Sequence, residues 1–509
     1  MRIRCELEPT ANGGTALTYQ MWLEPAGLLG RLVLRLAVGH WARARIQRVF
    51  RRYDELARPA PTPSHLAPLP SRPTRASLTR HALLQAGQPV ALVDRLIEFV
   101  TGADEFSVAR VRAYALADQW NAQRRTMLQL CLHATRAGLL DLRWETVCPH
   151  CRGATLTSST LAGVSAQAHC DSCAVDFVAN FDQSLELTFA PNPAIRTVAR
   201  LAYCTGGPQL TPHIVAQHRL APGAAGTLAL RLRPGRYRVR APGLTVLHSF
   251  RIEPGASPAG QIALGIAAEG EPALAPETEL TIINPDIAER LAIVEHTAWS
   301  DQSTSAAEVT ALQTFRDLFA REALRPGEQL AAGALTLVFT DLKGSTQLYR
   351  EIGDAPAFGR VLDHFDMLRA AVAAEGGAIV KTMGDAVMAV FPRPAPALRA
   401  LLAAQRRLTS PASDGAAAPR PLALKAGLHH GPCLAINQND RLDYFGSSVN
   451  FAARLCPLAT GADLVLSDAV RSDPEAAAII DENRLRAIPE QAILRGFVDE
   501  SFTVWRVQG

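Results

Sequence analysis

Lysine is nearly absent, with three residues among the 52 Lys plus Arg of a 509-residue chain. Genome base composition is the simplest source of this arginine bias, and no function is read into it. Net charge is also scarce, at +4, so electrostatics gives no ground for a nucleic-acid or membrane-surface partner. Long apolar runs are missing. The most apolar early stretch, AGLLGRLVLRLAVGHW at 26–41, is cut by Arg31 and Arg35. It falls short of the roughly 20 uninterrupted residues of a spanning helix. The start, MRIRCELEPT, lacks the apolar region of a secretory signal. Four of the nine cysteines form two CxxC pairs, which fits a reducing compartment and a metal site better than a disulfide framework. These absences predict a cytoplasmic protein with no transmembrane segment. The composition, 48% apolar and 20% charged, is that of a globular chain with room for three or four domains.

Residues 1–56 read as two strands around an ANGG turn followed by an amphipathic helix carrying Leu28, Leu32, Leu36, Val49 and Phe50. This resembles the closing hairpin and C-terminal helix of START-like ligand-binding domains, without the strands that precede them there, so a shortened gene product is expected. Residues 57–77 are a proline-rich linker. Residues 78–143 are helical, either a winged-helix-like unit or a plain helical adaptor, with Gly138 ending the last helix. Cys148, Cys151, Cys170 and Cys173 follow in C-x2-C-x18-C-x2-C spacing. Four thiolates suit a tetrahedral structural Zn2+, which predicts a zinc ribbon over 144–180. His150 inside the first pair is not needed as a ligand.

Residues 181–300 alternate as strands do, with Leu228, Leu230 and Leu232, a turn at Pro234–Gly235, then Tyr237 and Val239. A small β-sandwich is expected. Over 301–328, Ser305 and Glu308 form an S-x-x-E capping box. Val309, Leu312, Phe315 and Phe319 follow at near-heptad spacing, and Pro326–Gly327 stops the run. One helix is predicted, either a signal-carrying connector or a linker packed on one domain.

From 333 the pattern sharpens. ALTLVFTDLKGST is a buried strand delivering Asp341 to its tip. A helix follows with Phe358, Val361, Leu362, Phe365, Leu368 and Val372 on one face. GAIVKTMGDAVMAVF reads as strand, Gly384–Asp385 turn, strand. Two carboxylates at such positions can hold hard divalent ions against a triphosphate. In RLDYFGSSVNFAARL, Asn450 and Arg454 share a helix face downstream of Asp443.

FTDLKGST, VKTMGDAVMAVF, LKAGLHHGP and DYFGSSVNFAARL closely resemble the motifs of class III nucleotidyl cyclases, over residues 333–507, which implies a catalytic domain spanning 329–509. The segments WNAQRRTMLQLCLHATRAGLLDLRWETVCPHC and AWSDQSTSAAEVTALQTFRDLFAREALRPGEQ resemble a bacterial group of such cyclases whose N-terminal region is functionally undefined. The implied fold is α+β: a ferredoxin-like cyclase domain preceded by helical, zinc-ribbon and β-sandwich-like modules.

The resemblance implies that Asp341, Leu342 and Asp385 bind Mg2+ or Mn2+, two ions per site. Lys381 and Asp443 would select the base, Asn450 would place the ribose, and Arg454 would stabilise charge on the transferring phosphoryl group. Lys343, Gly344 and Ser345 are expected phosphate contacts, and Arg495 would take the place of a phosphate-binding lysine. Adenine offers an acceptor at N1 and a donor at its amino group, matching cationic Lys381 and anionic Asp443, whereas guanine reverses both. ATP is therefore the expected substrate, with 3′,5′-cyclic AMP and pyrophosphate as products. Family members draw metal aspartates and base-binding residues from different subunits, so a homodimer with two sites is implied. The alternatives are a guanylate cyclase and a catalytically silent nucleotide sensor. Nucleic-acid binding by 78–180 is not expected, because no basic stripe interleaved with aromatics is present. The regulatory ligand or protein is not identified by sequence. His429, His430, Cys433 and Cys456 are expected to pack, and Lys425 to lead a strand.

Overall fold

The computed structural model describes residues 2–9, 15–22, 73–149, 152–170, 175–198, 213–242, 244, 246–267, 270–297, 302–409, 422–497 and 500–508. The chain divides into two compact units, Met1–Ala67 and Pro68–Gly509. In the first, β1 (Arg2–Pro9) and β2 (Thr15–Trp22) pair antiparallel in register from Arg2↔Trp22 to Pro9↔Thr15. This is the expected hairpin. The START-like helix and the linker over 57–72 lie outside the described residues.

The second unit starts with five helices: α1 (Pro73–Gln85), α2 (Val90–Gly102), α3 (Glu105–Ala109), α4 (Ala113–Trp120) and α5 (Arg124–Arg136). The first begins inside the expected 57–77 linker, at a proline whose fixed φ suits a first helical turn. Helix α5 ends in a Schellman motif: Gly138, at φ 78, donates to Thr135 O at 3.1 Å and Leu139 donates to Ala134 O at 2.9 Å. Next come β3 (Leu140–Val147), β4 (Ala154–Ser158), β5 (Gln167–Cys170), β6 (Val175–Val178) and β7 (Leu185–Pro191). The strands pair in order β4-β3-β7 and, separately, β5-β6. One strand, β3, crosses the expected 143/144 boundary, and its partner β7 lies beyond the expected end at 180. The helices and the sheet share one core in which Trp144 is fully buried, edge-on to Phe315 at 5.8 Å. Truncating such a residue costs about 3–5 kcal/mol.

The β-rich module is one six-stranded sheet rather than a sandwich of two. Its strands are β8 (Ile214–Leu220), β9 (Ala225–Arg231), β10 (Gly235–Arg240), β11 (His248–Ala263), β12 (Ala273–Ile283) and β13 (Arg290–His296), in order β8-β13-β10-β11-β12-β9. The end strands β8 and β9 lie together, and a Cβ on Gly226 would meet His218 Nε2 at 2.2 Å, so the sheet curls onto itself. Register slips near Gly255 let β11 bend. The alternating residues identified strands correctly, with Tyr237 and Val239 buried. The consecutive β9 and β10 nevertheless do not pair.

The single helix expected over 301–328 is two short ones, α6 (Ala306–Thr310) and α7 (Gln313–Leu318). Ser305 caps as expected, accepting from the Glu308 amide at 3.3 Å. The Glu308 carboxylate, however, accepts from Tyr114 Oη instead of reaching back to close the box. Arg316 Nε donates to Thr310 O at 2.8 Å, satisfying the end of the first helix where the chain turns. Phe319 lies just past the second.

The C-terminal region runs β14 (Gln329–Leu342), α8 (Ser345–Ile352), α9 (Asp354–Ala374), β15 (Ala378–Met383), β16 (Ala386–Phe391), α10 (Pro394–Thr409), β17 (Leu424–Gln438), β18 (Arg441–Phe445), α11 (Ser447–Leu455), β19 (Leu464–Ser467), α12 (Asp468–Arg471), α13 (Pro474–Glu482), β20 (Arg486–Ile493) and β21 (Ser501–Gln508). The sheet order is β15-β16-β14-β17-β19-β21-β20, with β18 paired to β17. The first four strands and helices α9 and α10 make a β-α-β-β-α-β unit with antiparallel neighbours, the ferredoxin-like arrangement expected. Strand β14 is buried on both faces: Val338 packs with Leu368, Val372 and Leu398, and Leu337 packs with the core that contains Trp144. On α9, Val361, Leu368 and Val372 are buried as expected, but Phe358 and Leu362 are 54% and 46% exposed. Among the described residues no helix is long and apolar enough to cross a membrane.

Candidate functional site

Asp341 stands near the end of β14, where its main chain pairs with Lys425 of β17. Asp385 sits in the two-residue turn between β15 and β16, after Gly384 at φ 66. The two carboxyls are close enough to interact: burial first, and the Asp385 charge second, push the Asp341 carboxyl above its usual range. Asp385 Oδ2 is buried with no hydrogen-bond partner. A buried, unpaired carboxylate oxygen beside a second carboxylate is a donor set suited to a hard divalent cation. Leu342 is buried behind Asp341.

The phosphate loop differs in one respect from expectation. The Lys343 amide donates to Ala423 O at 2.9 Å, extending the strand pairing, so it is not free for a phosphate. Gly344, at φ 75, and Ser345 open helix α8, whose first amides have no intrahelical partner. The Lys343 side chain is exposed.

Lys381 lies on the edge strand β15, directly after a one-residue register slip between Ile379 and Lys381. Its Nζ donates to Asp443 Oδ2 at 2.5 Å. Asp443 is 5% exposed on β18, and its other oxygen accepts from the Tyr444 amide at 2.8 Å. The two residues expected to select the base, 62 positions apart in the chain, are thus in direct contact. Asn450 and Arg454 share the exposed face of α11. This helix is seated by Gly427, where any Cβ would meet Cys456 N at 2.4 Å. Arg454 Nε donates to the carbonyl of Arg495 at 3.1 Å, which brings together two residues expected to face phosphate.

The histidines and cysteines pack, as expected. His429 lies against Phe451 at 4.5 Å, and burial holds its ring down at about 4. His430 Nδ1 is 3.0 Å from Thr336 Oγ1. Burial drives the thiols of Cys433 and Cys456 up to about 12.

Sequence reasoning missed His364. It is 1% exposed on α9, and neither ring nitrogen has a hydrogen-bond partner. Burial lowers its pKa to about 4, against the pull of the nearby Asp385 carboxylate. Its one visible signal was a histidine on the Val361–Leu368 apolar face.

Of the expected zinc ligands, Cys151 and Cys173 lie outside the described residues. Cys148 and Cys170 are buried at the ends of β3 and β5. The first is held in a tight knuckle, with Cys148 N donating to Gly153 O and Arg152 N to Cys148 O, both at 2.9 Å. Among the described residues no group of three or more His, Cys, Asp or Glu is placed to hold a metal.

Residues 329–475 match the model of the adenylate and guanylate cyclase catalytic domain. Residues 75–203 match a family of unknown function, DUF5939. The chain is 33% identical over 172 residues to an adenylate cyclase of Lachancea kluyveri, a match covering 30% of this chain and 9% of that one. It is 33% identical over 162 residues to a pH-sensitive adenylate cyclase of Mycobacterium tuberculosis, covering 31% of this chain and 38% of that one. These matches thus span well under half of either relative. Among solved structures, the adenylyl cyclase CyaB from P. aeruginosa is 21% identical, with 36% of this chain and 96% of that chain covered at a TM-score of 0.29. The C-terminal part of this protein is a class III adenylate/guanylate cyclase catalytic domain.

Proposed function

We propose that the protein is an adenylate cyclase, converting ATP to 3′,5′-cyclic AMP and pyrophosphate. The observation that carries this reading is the Lys381–Asp443 pair, a half-exposed cation and a buried anion 2.5 Å apart. Opened by a base, the pair presents one donor and one acceptor in the order adenine requires. Guanine would set donor against donor and acceptor against acceptor, a mismatch worth on the order of 10²–10⁴ in specificity.

Asp341 and Asp385 would hold two Mg2+ or Mn2+ ions, which when bound neutralise phosphate charge and acidify the ribose 3′-hydroxyl. Asn450 orients the ribose so that the 3′-oxygen faces the α-phosphorus. Arg454 supplies fixed positive charge where the pentavalent phosphorus accumulates negative charge, and pyrophosphate leaves. Gly344 and Ser345 offer amides to the phosphates. Arg495 lies beside Arg454 and reinforces the positive side of the cleft.

A complete site is read as shared between two copies of the chain, one giving the aspartates and the other the base and ribose residues. Exposed apolar side chains at Phe358, Leu362, Met383 and Phe445 support a partner surface, and the last two neighbour Lys381 and Asp443 in sequence. A structural Zn2+ on Cys148, Cys151, Cys170 and Cys173 fits the knuckle at Cys148. ATP as substrate agrees with a cytoplasmic location.

The test is complementation. Asp385→Asn and Arg454→Ala should each abolish cyclic AMP formation. Co-expressed, they should regain about a quarter of wild-type activity, since half of randomly formed dimers hold one intact site of two. No regain, from a wild type that is active and variants that co-purify, would reject the shared site.

A further inference from the structure

The pair Lys381–Asp443 is short-ranged and charged, but the strands that carry it are not neighbours in the sheet. Lys381 is on the edge strand β15, and Asp443 is on β18 at the far side of β17. Something besides the ladder must fix the gap between them. The short helix α7, which precedes the catalytic domain, touches both.

On the β15 side, the Gln313 amide donates to Gly377 O at 3.2 Å and Gln313 Oε1 accepts from the Ile379 amide at 2.8 Å. Ile379 is where the ladder to β16 slips by one residue before Lys381, and such a bulge re-aims the side chain that follows it. Gln313 therefore holds the outward edge of the bulge. On the β18 side, Arg316 Nη1 donates to Leu442 O at 2.9 Å, the carbonyl just before Asp443. Its guanidinium lies over the Tyr444 ring at 5.4 Å, just after Asp443. The Tyr444 hydroxyl meets Thr310 Oγ1 at 3.0 Å. The helix itself is anchored: Gln313 Nε2 donates to Asp317 at 2.8 Å, and Asp317 pairs with Arg369 of α9. A cavity of about 340 Å³ between α7 and these strands is lined by Gln313, Arg316, Lys381 and Leu442.

We propose that Gln313 and Arg316 are positioning residues for base selection: they set the separation and aim of Lys381 and Asp443 by gripping the main chain beside each. The proposal rests on the reading of that pair as the adenine selector. It also gives the N-terminal module a route to the site, because Gln129 of α5 donates to Thr314 of the same short helix at 3.1 Å.

The test compares kcat/KM for ATP with kcat/KM for GTP in the full chain. Arg316→Met and Gln313→Ala should each lower the ATP:GTP ratio about tenfold, since misplacements well under 1 Å suffice for such a loss. Arg316→Lys keeps a cationic donor within reach of Leu442 and should restore most of the ratio. A merely structural role would lower turnover of both nucleotides equally and leave the ratio alone. An unchanged ratio in folded Arg316→Met overturns the proposal. Should that variant not fold, an unchanged ratio in Gln313→Ala does the same. Lys381→Glu is the control for the underlying reading. If it leaves the ratio unchanged, base selection does not run through Lys381 and the inference falls with it. If it shifts the ratio while both positioning variants do not, the inference alone is wrong.

Discussion

Lys381 Nζ and Asp443 Oδ2 lie 2.5 Å apart, so the two groups satisfy each other. Each would have to leave the other to meet a purine. Removing the lysine strands a nearly buried carboxylate. Lys381→Glu places two carboxylates together and should reduce ATP turnover on the order of 10²-fold or more while sparing GTP turnover. Parallel steady-state kinetics with both nucleotides check this, and equal losses for the two would contradict it.

The pair Asp341–Asp385 makes a second, thermodynamic prediction. Burial and mutual repulsion raise the Asp341 carboxyl. Without metal, the site therefore favours the protonated form and loses stability as pH rises through the raised pKa. Divalent cations should offset this, so Mn2+ should raise the melting temperature more at pH 7.5 than at pH 4.5. Asp385→Asn should largely remove the Mn2+-dependent increase. Thermal denaturation with and without Mn2+ reads both, and a Mn2+ shift unchanged in the variant would count against these ligands.

Away from the site, Asp463 tests the linkage in the opposite direction. Burial alone would raise its carboxyl, but Arg506 and Thr460 bonds overcome that and hold it below the usual range. Its stabilising contribution is therefore complete above the ordinary carboxylate pKa and lost as pH falls through the depressed one. Asp463→Asn leaves Arg506 its second carboxylate partner, Glu490, and removes one charged hydrogen bond, so it should cost about 1–2 kcal/mol at pH 7. The difference from wild type should shrink as pH falls below the ordinary carboxylate range and through the depressed one. Urea denaturation across pH measures it.

The zinc reading has a direct measurement. Elemental analysis of the purified full chain should give one Zn2+ per chain, and Cys170→Ser should lose it along with part of the thermal stability. A chain without zinc whose stability is insensitive to chelators would reject the ribbon.

The catalytic region was legible because its chemistry is written in short contiguous motifs. Asp341 lies at the end of one strand, Asp385 occupies one turn, and Asn450 and Arg454 share one helix. Local spacing was enough to place each. Pairings between distant segments were not legible. The curled β8–β13 sheet was expected as a sandwich because alternation identifies a strand but not its partner, and β9 and β10 are adjacent in sequence without pairing. The 301–328 helix was expected whole because its apolar spacing is continuous. In the fold, Tyr114 takes the Glu308 carboxylate, and Arg316 closes the chain back onto Thr310. Phe358 and Leu362 fit the helical face but are left exposed, as an interface to another chain would require. Gln313 and Arg316 carried no sequence signal, because their partners are backbone atoms of remote strands.

The most direct test of the account is product identification. Purified full-length protein is given ATP or GTP separately with Mn2+ and with Mg2+, and the products are resolved by mass, with Asp341→Asn as control. The account predicts 3′,5′-cyclic AMP from ATP, little or no cyclic GMP from GTP, and neither product from the variant. Cyclic GMP as the main product, or cyclic AMP formed undiminished by Asp341→Asn, would contradict it.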